Sequence, residues 1–157
     1  MLPGGHFEEL RALYAEVDAL LSPYSCEGTT ECCRFGITGR EPYPTAVELG
    51  ELQRAIVEAG ITLGGGRRRR PLPLADGGRG MSREGERPCP LLGEDGRCRV
   101  YMSRPFGCRT YFCHRVSGPG KLPRREVQHI SRKIADLSAR YAPRDPHPRP
   151  LTRALGR

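Results

Sequence analysis

The sequence predicts a mainly α-helical single domain with irregular loops, small, cysteine-rich and bound to metal, on three observations. Three stretches carry apolar residues at helical spacing, 20 glycines and 15 prolines break up the rest of the 157 residues, and seven cysteines stand outside the stripes. Gly and Pro in that number leave a small apolar core, and small cores gain stability from cross-links or bound metal.

The first helix is read from Phe7, Leu10, Tyr14, Val17 and Leu21, which recur on one face and end before Ser22-Pro23. The second begins at Thr45, an N-cap with Glu48 three residues on, and continues through Leu49, Leu52, Ile56 and Ala59 to Gly60. The third runs from about Arg125 to Tyr141, with Val127, Ile130, Ile134, Leu137 and Tyr141 as its stripe and Pro143 beyond it. The three stripes are expected to pack on one another. Residues 1–141 form the expected domain, with 64–88 a flexible internal loop carrying the Arg67–Arg70 run, and 142–157 a disordered basic tail.

The first residues show neither a basic start nor an apolar run, and no stretch is long and apolar enough for a bilayer, so a cytoplasmic chain without membrane contact is expected. Thiols stay reduced in that compartment, and an odd count of cysteines cannot pair fully. Metal ligation or redox chemistry follows as the expectation. The net charge of +8 permits attraction to polyanions, but basic composition alone carries no readout of nucleic acid.

Cys26, Cys32 and Cys33 lie between the first two helices; Cys89, Cys98, Cys108 and Cys113 precede the third. All seven are candidate metal ligands, because Gly- and Pro-rich loops can turn several thiolates toward one point. Zinc takes four such ligands in a structural site, and a [4Fe–4S] cluster also takes four. No C-x2-C occurs, so zinc-finger spacing does not apply. Cys32 and Cys33 are adjacent and would point apart in extended backbone, which suggests different roles.

Two blocks resemble the YkgJ-type cysteine-cluster proteins, a family described as zinc- or iron-chelating domains and as iron–sulfur oxidoreductases. Cys26, Thr29, Cys32 and Cys33 fall in the frame of the family's opening C-x2-C-x2-C-C. Cys89-Pro90, Cys98-Arg99-Val100-Tyr101, Arg104-Pro105, Cys108-Arg109 and then Cys113 follow its second block. The resemblance covers about residues 26–113 and implies a metal held by these cysteines. Thr29 stands where the family has a cysteine, and a hydroxyl is a poor replacement for a thiolate. His114 is the candidate to fill that place, while His129 is a weaker one. Arg104 and Arg109 either favour ionised thiols or pair with carboxylates; Tyr101, Phe106, Tyr111 and Phe112 are expected to shield the sulfurs.

The function read from these residues is a metal-binding protein with an iron–sulfur cluster or zinc, serving electron transfer or structure, with a redox protein as the expected partner. The alternatives are a zinc- or thiol-dependent enzyme and a basic zinc-containing nucleic-acid binder. No H-E-x-x-H, G-x-G-x-x-G or radical-type C-x3-C-x2-C is present, so the reading leans away from an enzyme; an iron–sulfur oxidoreductase is the form one would take. The number of metal sites, the oligomeric state and the substrate are not encoded in any motif.

Overall fold

The computed structural model describes residues 4–25, 31–63, 87–111 and 117–156. These form six α-helices: α1 Gly4–Leu21, α2 Phe35–Thr38, α3 Ala46–Glu58, α4 Phe106–Thr110, α5 Arg124–Tyr141 and α6 Leu151–Ala154. Two 3-10 turns, Glu31–Cys33 and Tyr101–Ser103, stand between them. Pairing between extended segments among the described residues is confined to isolated bridges, Ser25 with Ser117, Arg34 with Pro88 and Leu92 with Cys98. No described helix is long and apolar enough to cross a membrane.

The long helices α1, α3 and α5 pack together, α1 and α5 through their expected stripes, whereas the expected α3 stripe residues Leu52 and Ile56 turn to a second core. Leu10, Leu13, Tyr14, Val17 and Leu21 of α1 bury against Ile130, Ile134 and Leu137 of α5, with Val47 of α3 closing the cluster. Gly50 permits the close crossing: a Cβ there would meet Tyr141 Oη at 2.5 Å and the Phe7 ring at 3.1 Å. A second cluster gathers Phe35, Leu52, Ile56, Leu91, Val100 and Leu151, and so joins α2, the far face of α3, the cysteine-bearing loop and the C-terminal segment.

Two sequence expectations are corrected here. The buried face of α3 is Val47, Glu48, Glu51, Leu52 and Ile56, whereas Ala59 is exposed and Leu49 half-buried. The stripe is rotated because two carboxylates find partners inside. Glu48 takes the N–H of Thr45 at 2.8 Å as the capping box requires, and Glu51 takes the Arg11 guanidinium at 3.0 and 3.1 Å.

The expected disordered tail instead docks through residue 156. Arg149 and Leu151 donate backbone N–H groups to the Pro44 and Pro42 carbonyls at 3.1 and 3.0 Å, and the Leu151 side chain is buried in the second core. The Glu41 carboxylate caps α6 through the Thr152 N–H at 2.6 Å. Leu151 and Leu155 anchor the segment in the second core, and the Pro42 and Pro44 carbonyls satisfy its backbone N–H groups. Of the expected loop 64–88, residues 64–86 and the Arg67–Arg70 run lie outside the described residues, whereas Pro88 is bridged to Arg34.

Candidate metal centre

Five of the seven candidate ligands lie among the described residues: Cys32, Cys33, Cys89, Cys98 and Cys108. Cys26 and Cys113 lie outside them, as do Thr29, Phe112 and His114.

The five come from three parts of the chain. Cys32 and Cys33 occupy the 3-10 turn Glu31–Cys33, whose tight winding replaces the extended backbone expected of them. The interaction between the two thiols lowers the pKa of Cys32 and raises that of Cys33. Cys89 is tied to this turn directly: its N–H donates to the Cys33 carbonyl at 2.6 Å, and the Phe35 N–H donates to the Arg87 carbonyl at 3.0 Å. Cys98 is bridged to Leu92, where the Arg99 N–H reaches the Leu91 carbonyl at 2.9 Å and folds the Cys89–Cys98 loop back on itself. Cys89 and Cys98 both pack on the second core. Cys108 sits on α4, with Pro105 at its N-cap.

The thiols share one electrostatic environment. Burial pushes Cys89 up to about 11, with Cys98 adding to the rise, and pushes Cys108 up to about 12, with Cys89, Cys98 and Cys32 adding. Burial raises Cys98 as well. The interaction with the Cys33 thiol holds Cys32 down to about 6, and the same interaction raises Cys33, whose further increments come from burial, Cys32, Cys89 and Cys108. Cys33 and Cys108 thus feel sulfurs from other segments. Among the described residues, no three His, Cys, Asp or Glu side chains stand together in metal-ligating geometry.

The two arginines of the second block divide the roles expected of them. Arg104 lowers the pKa of Cys32, Cys98 and Cys108 by its charge, and is itself held by its Nε donating to the Tyr101 carbonyl at 2.9 Å and by its guanidinium lying 3.6 Å over the Tyr101 ring. Arg109 turns inward. Its buried guanidinium pairs with Asp18, donates to the Met102 carbonyl and, through Nε, to the Arg104 carbonyl at 2.9 Å. Burial lowers its pKa and Asp18 opposes that shift.

Sequence reasoning missed Glu48 and Tyr14 as supports of this region. Glu48 Oε1 accepts the Phe106 N–H at 2.7 Å at the start of α4, two residues before Cys108, and accepts the Tyr14 hydroxyl at 3.2 Å. The capping box was the signal that marked Glu48, although not for this second task. The aromatic shield is also corrected. Tyr101 is 56% exposed, and Phe106 packs toward the first core. The histidines described lie apart from the candidate thiols: His6 of α1 packs edge-on against Tyr141 of α5, and His129 and His147 are exposed.

Compared with known proteins, the chain matches no family model, no curated protein and no solved structure. The resemblance of its two cysteine blocks therefore stands on those residues alone.

Proposed function

We propose that this chain is a metal-binding protein whose cysteine thiolates hold an iron–sulfur cluster or zinc, in an electron-carrying or structural role. The observation that supports the reading is the direct tie between the Cys32–Cys33 turn and Cys89, whose N–H donates to the Cys33 carbonyl at 2.6 Å, together with the effect of sulfurs from other segments on Cys33 and Cys108. Several thiolates at close quarters repel one another and resist ionisation. A bound cation removes both penalties, since it displaces the protons and neutralises the charge.

The donor set fits either metal. Zinc needs four thiolates, and a [4Fe–4S] cluster needs four as well. Among the described residues the candidate donors are all sulfurs, with His6, His129 and His147 placed elsewhere, and this tilts the proposal toward iron–sulfur, with His114 outside the described residues still a candidate. When bound, such a cluster supplies a one-electron carrier, and Arg104 would offset the negative charge of its thiolates. The resemblance to the YkgJ-type cysteine-cluster proteins supports the same reading, as does Cys113 following Cys108 in the sequence.

The test is anaerobic purification followed by an absorption spectrum and elemental analysis of one sample. A brown protein with iron and acid-labile sulfide establishes a cluster. A colourless protein with stoichiometric zinc establishes the zinc form, and a sample with neither metal after reconstitution sinks the proposal.

A further inference from the structure

A cleft of about 260 Å³ opens beside the C-terminal end of α4, on the side where α1 ends and α5 begins. Its apolar lining comes from Leu21, Leu122 and Val127. Arg40, Arg124 and Tyr111 form its polar part, with the Gln128 amide one helical turn along α5 from Arg124. Arg40 is held over the Tyr111 ring at 5.6 Å.

The charge balance of this cleft is one-sided. Elsewhere Arg11, Arg54, Arg109 and Arg140 meet carboxylates. Neither Arg40 nor Arg124 has a carboxylate partner among the described residues, and no Asp or Glu lines the cleft. Two guanidiniums, an amide and an apolar wall in one recess match a ligand that carries a compact anionic group on an apolar body. The volume, about 260 Å³, falls just below the usual range of small-molecule pockets, about 300–1,000 Å³, which suits a small organic acid.

We propose that this cleft binds a small organic anion, a carboxylate or phosphate monoester with an apolar group, with Arg40 and Arg124 holding the anionic end and Leu21, Leu122 and Val127 the apolar one. Thr110 and Tyr111 place the site next to Cys108 along the chain, and the Thr110 hydroxyl anchors the turn by donating to the Phe106 carbonyl at 3.0 Å. The site does not depend on the metal proposal, because none of the cleft residues is a candidate metal ligand.

The test is titration of the full chain with benzoate, phenyl phosphate, inorganic phosphate and neutral benzamide, followed by amide NMR and by contacts from the ring protons of the bound probe. Benzoate or phenyl phosphate should shift Thr110, Tyr111 and Val127 saturably and show ring contacts to the Leu21, Leu122 and Val127 methyls. The stronger of the two identifies the anionic group. Benzamide should bind at least about tenfold more weakly, the loss expected for one charge-assisted hydrogen bond, and inorganic phosphate also at least about tenfold more weakly, because it lacks the ring that fills the apolar side. Arg40→Gln combined with Arg124→Gln should weaken binding by about tenfold or more on the same scale. Shifts that map elsewhere in the wild-type chain, benzamide binding as well as benzoate, or unchanged affinity in the folded double variant would each overturn the proposal. The wild-type contacts decide the location even if the double variant fails to fold.

Discussion

The guanidinium of Arg109 lies over the ring of Tyr14, 4.1 Å from its centroid, while the Tyr14 hydroxyl donates to Glu48. Three elements far apart in sequence are thereby joined: α1 through Tyr14 and Asp18, α3 through Glu48, and the Met102–Arg109 segment through Arg109. Burial raises the Tyr14 pKa well above its ordinary value, with Glu48 adding to the rise and Arg109 opposing it.

Arg109→Ala should destabilise the protein by about 3–5 kcal/mol if the guanidinium behaves as a buried paired charge, with the exposed side of Asp18 favouring the lower end. The loss includes two carbonyls, of Met102 and Arg104, left without a donor. Arg109→Lys should recover less than half of it, because one ammonium cannot reach three partners in a plane. Urea unfolding of the two variants checks both values.

Glu48→Ala should cost about 2–4 kcal/mol, since it strands the N–H groups of Thr45 and Phe106 and the Tyr14 hydroxyl. Glu48→Gln keeps the shape and one acceptor oxygen and should cost less. Equal midpoints of denaturation for Glu48→Ala and the wild type would show that Glu48 does not support α4.

Gly50→Ala is predicted to destabilise by about 1–3 kcal/mol, the usual range for overpacking. The new methyl would meet the Tyr141 hydroxyl at 2.5 Å and the Phe7 ring at 3.1 Å, so these side chains must shift. Gly50→Ala combined with Tyr141→Phe should regain part of the loss, which calorimetric melting of the single and double variants measures.

The pH dependence of the metal-free protein follows from the thiols. Cys89 and Cys108 are raised to about 11 and about 12, so their contribution is complete below the unfolded thiol pKa of about 8.5 and is lost as pH rises through the folded values. Cys32, lowered to about 6, acts in the opposite sense: its contribution is present above about 8.5 and is lost as pH falls through the folded value. Metal-free stability should therefore decline from about pH 9 toward 12, and Cys108→Ala should flatten that decline. With metal bound the ligands are thiolates, and the added stability should fall as the pH is lowered. Urea midpoints between pH 6 and 11, with and without metal, separate the two signs.

Much of the helical scaffold was legible because α1, α3 and α5 bury apolar residues at a regular period, and because Thr45 and Glu48 announce the start of α3. The face of α3 was read a little off its true direction. Periodicity counts only apolar residues, and it cannot see that Glu51 finds Arg11 forty positions away. The C-terminal segment escaped for a related reason: Leu151 and Leu155 make no stripe, and the Pro42 and Pro44 carbonyls that hold the segment are far from it in sequence. At the candidate centre, the sequence marks the cysteines as candidates but not their arrangement. The 3-10 turn that aligns Cys32 with Cys33 was not legible, nor was the inward turn of Arg109, because both depend on contacts between distant segments.

The most direct measurement is metal content together with melting temperature for Cys89→Ser and Cys108→Ser beside the wild type, all purified anaerobically. Thiolate ligation predicts that metal per chain and melting temperature fall together in both variants, because the energy of binding metal is also energy of folding. Full metal content and wild-type melting in both variants would contradict it.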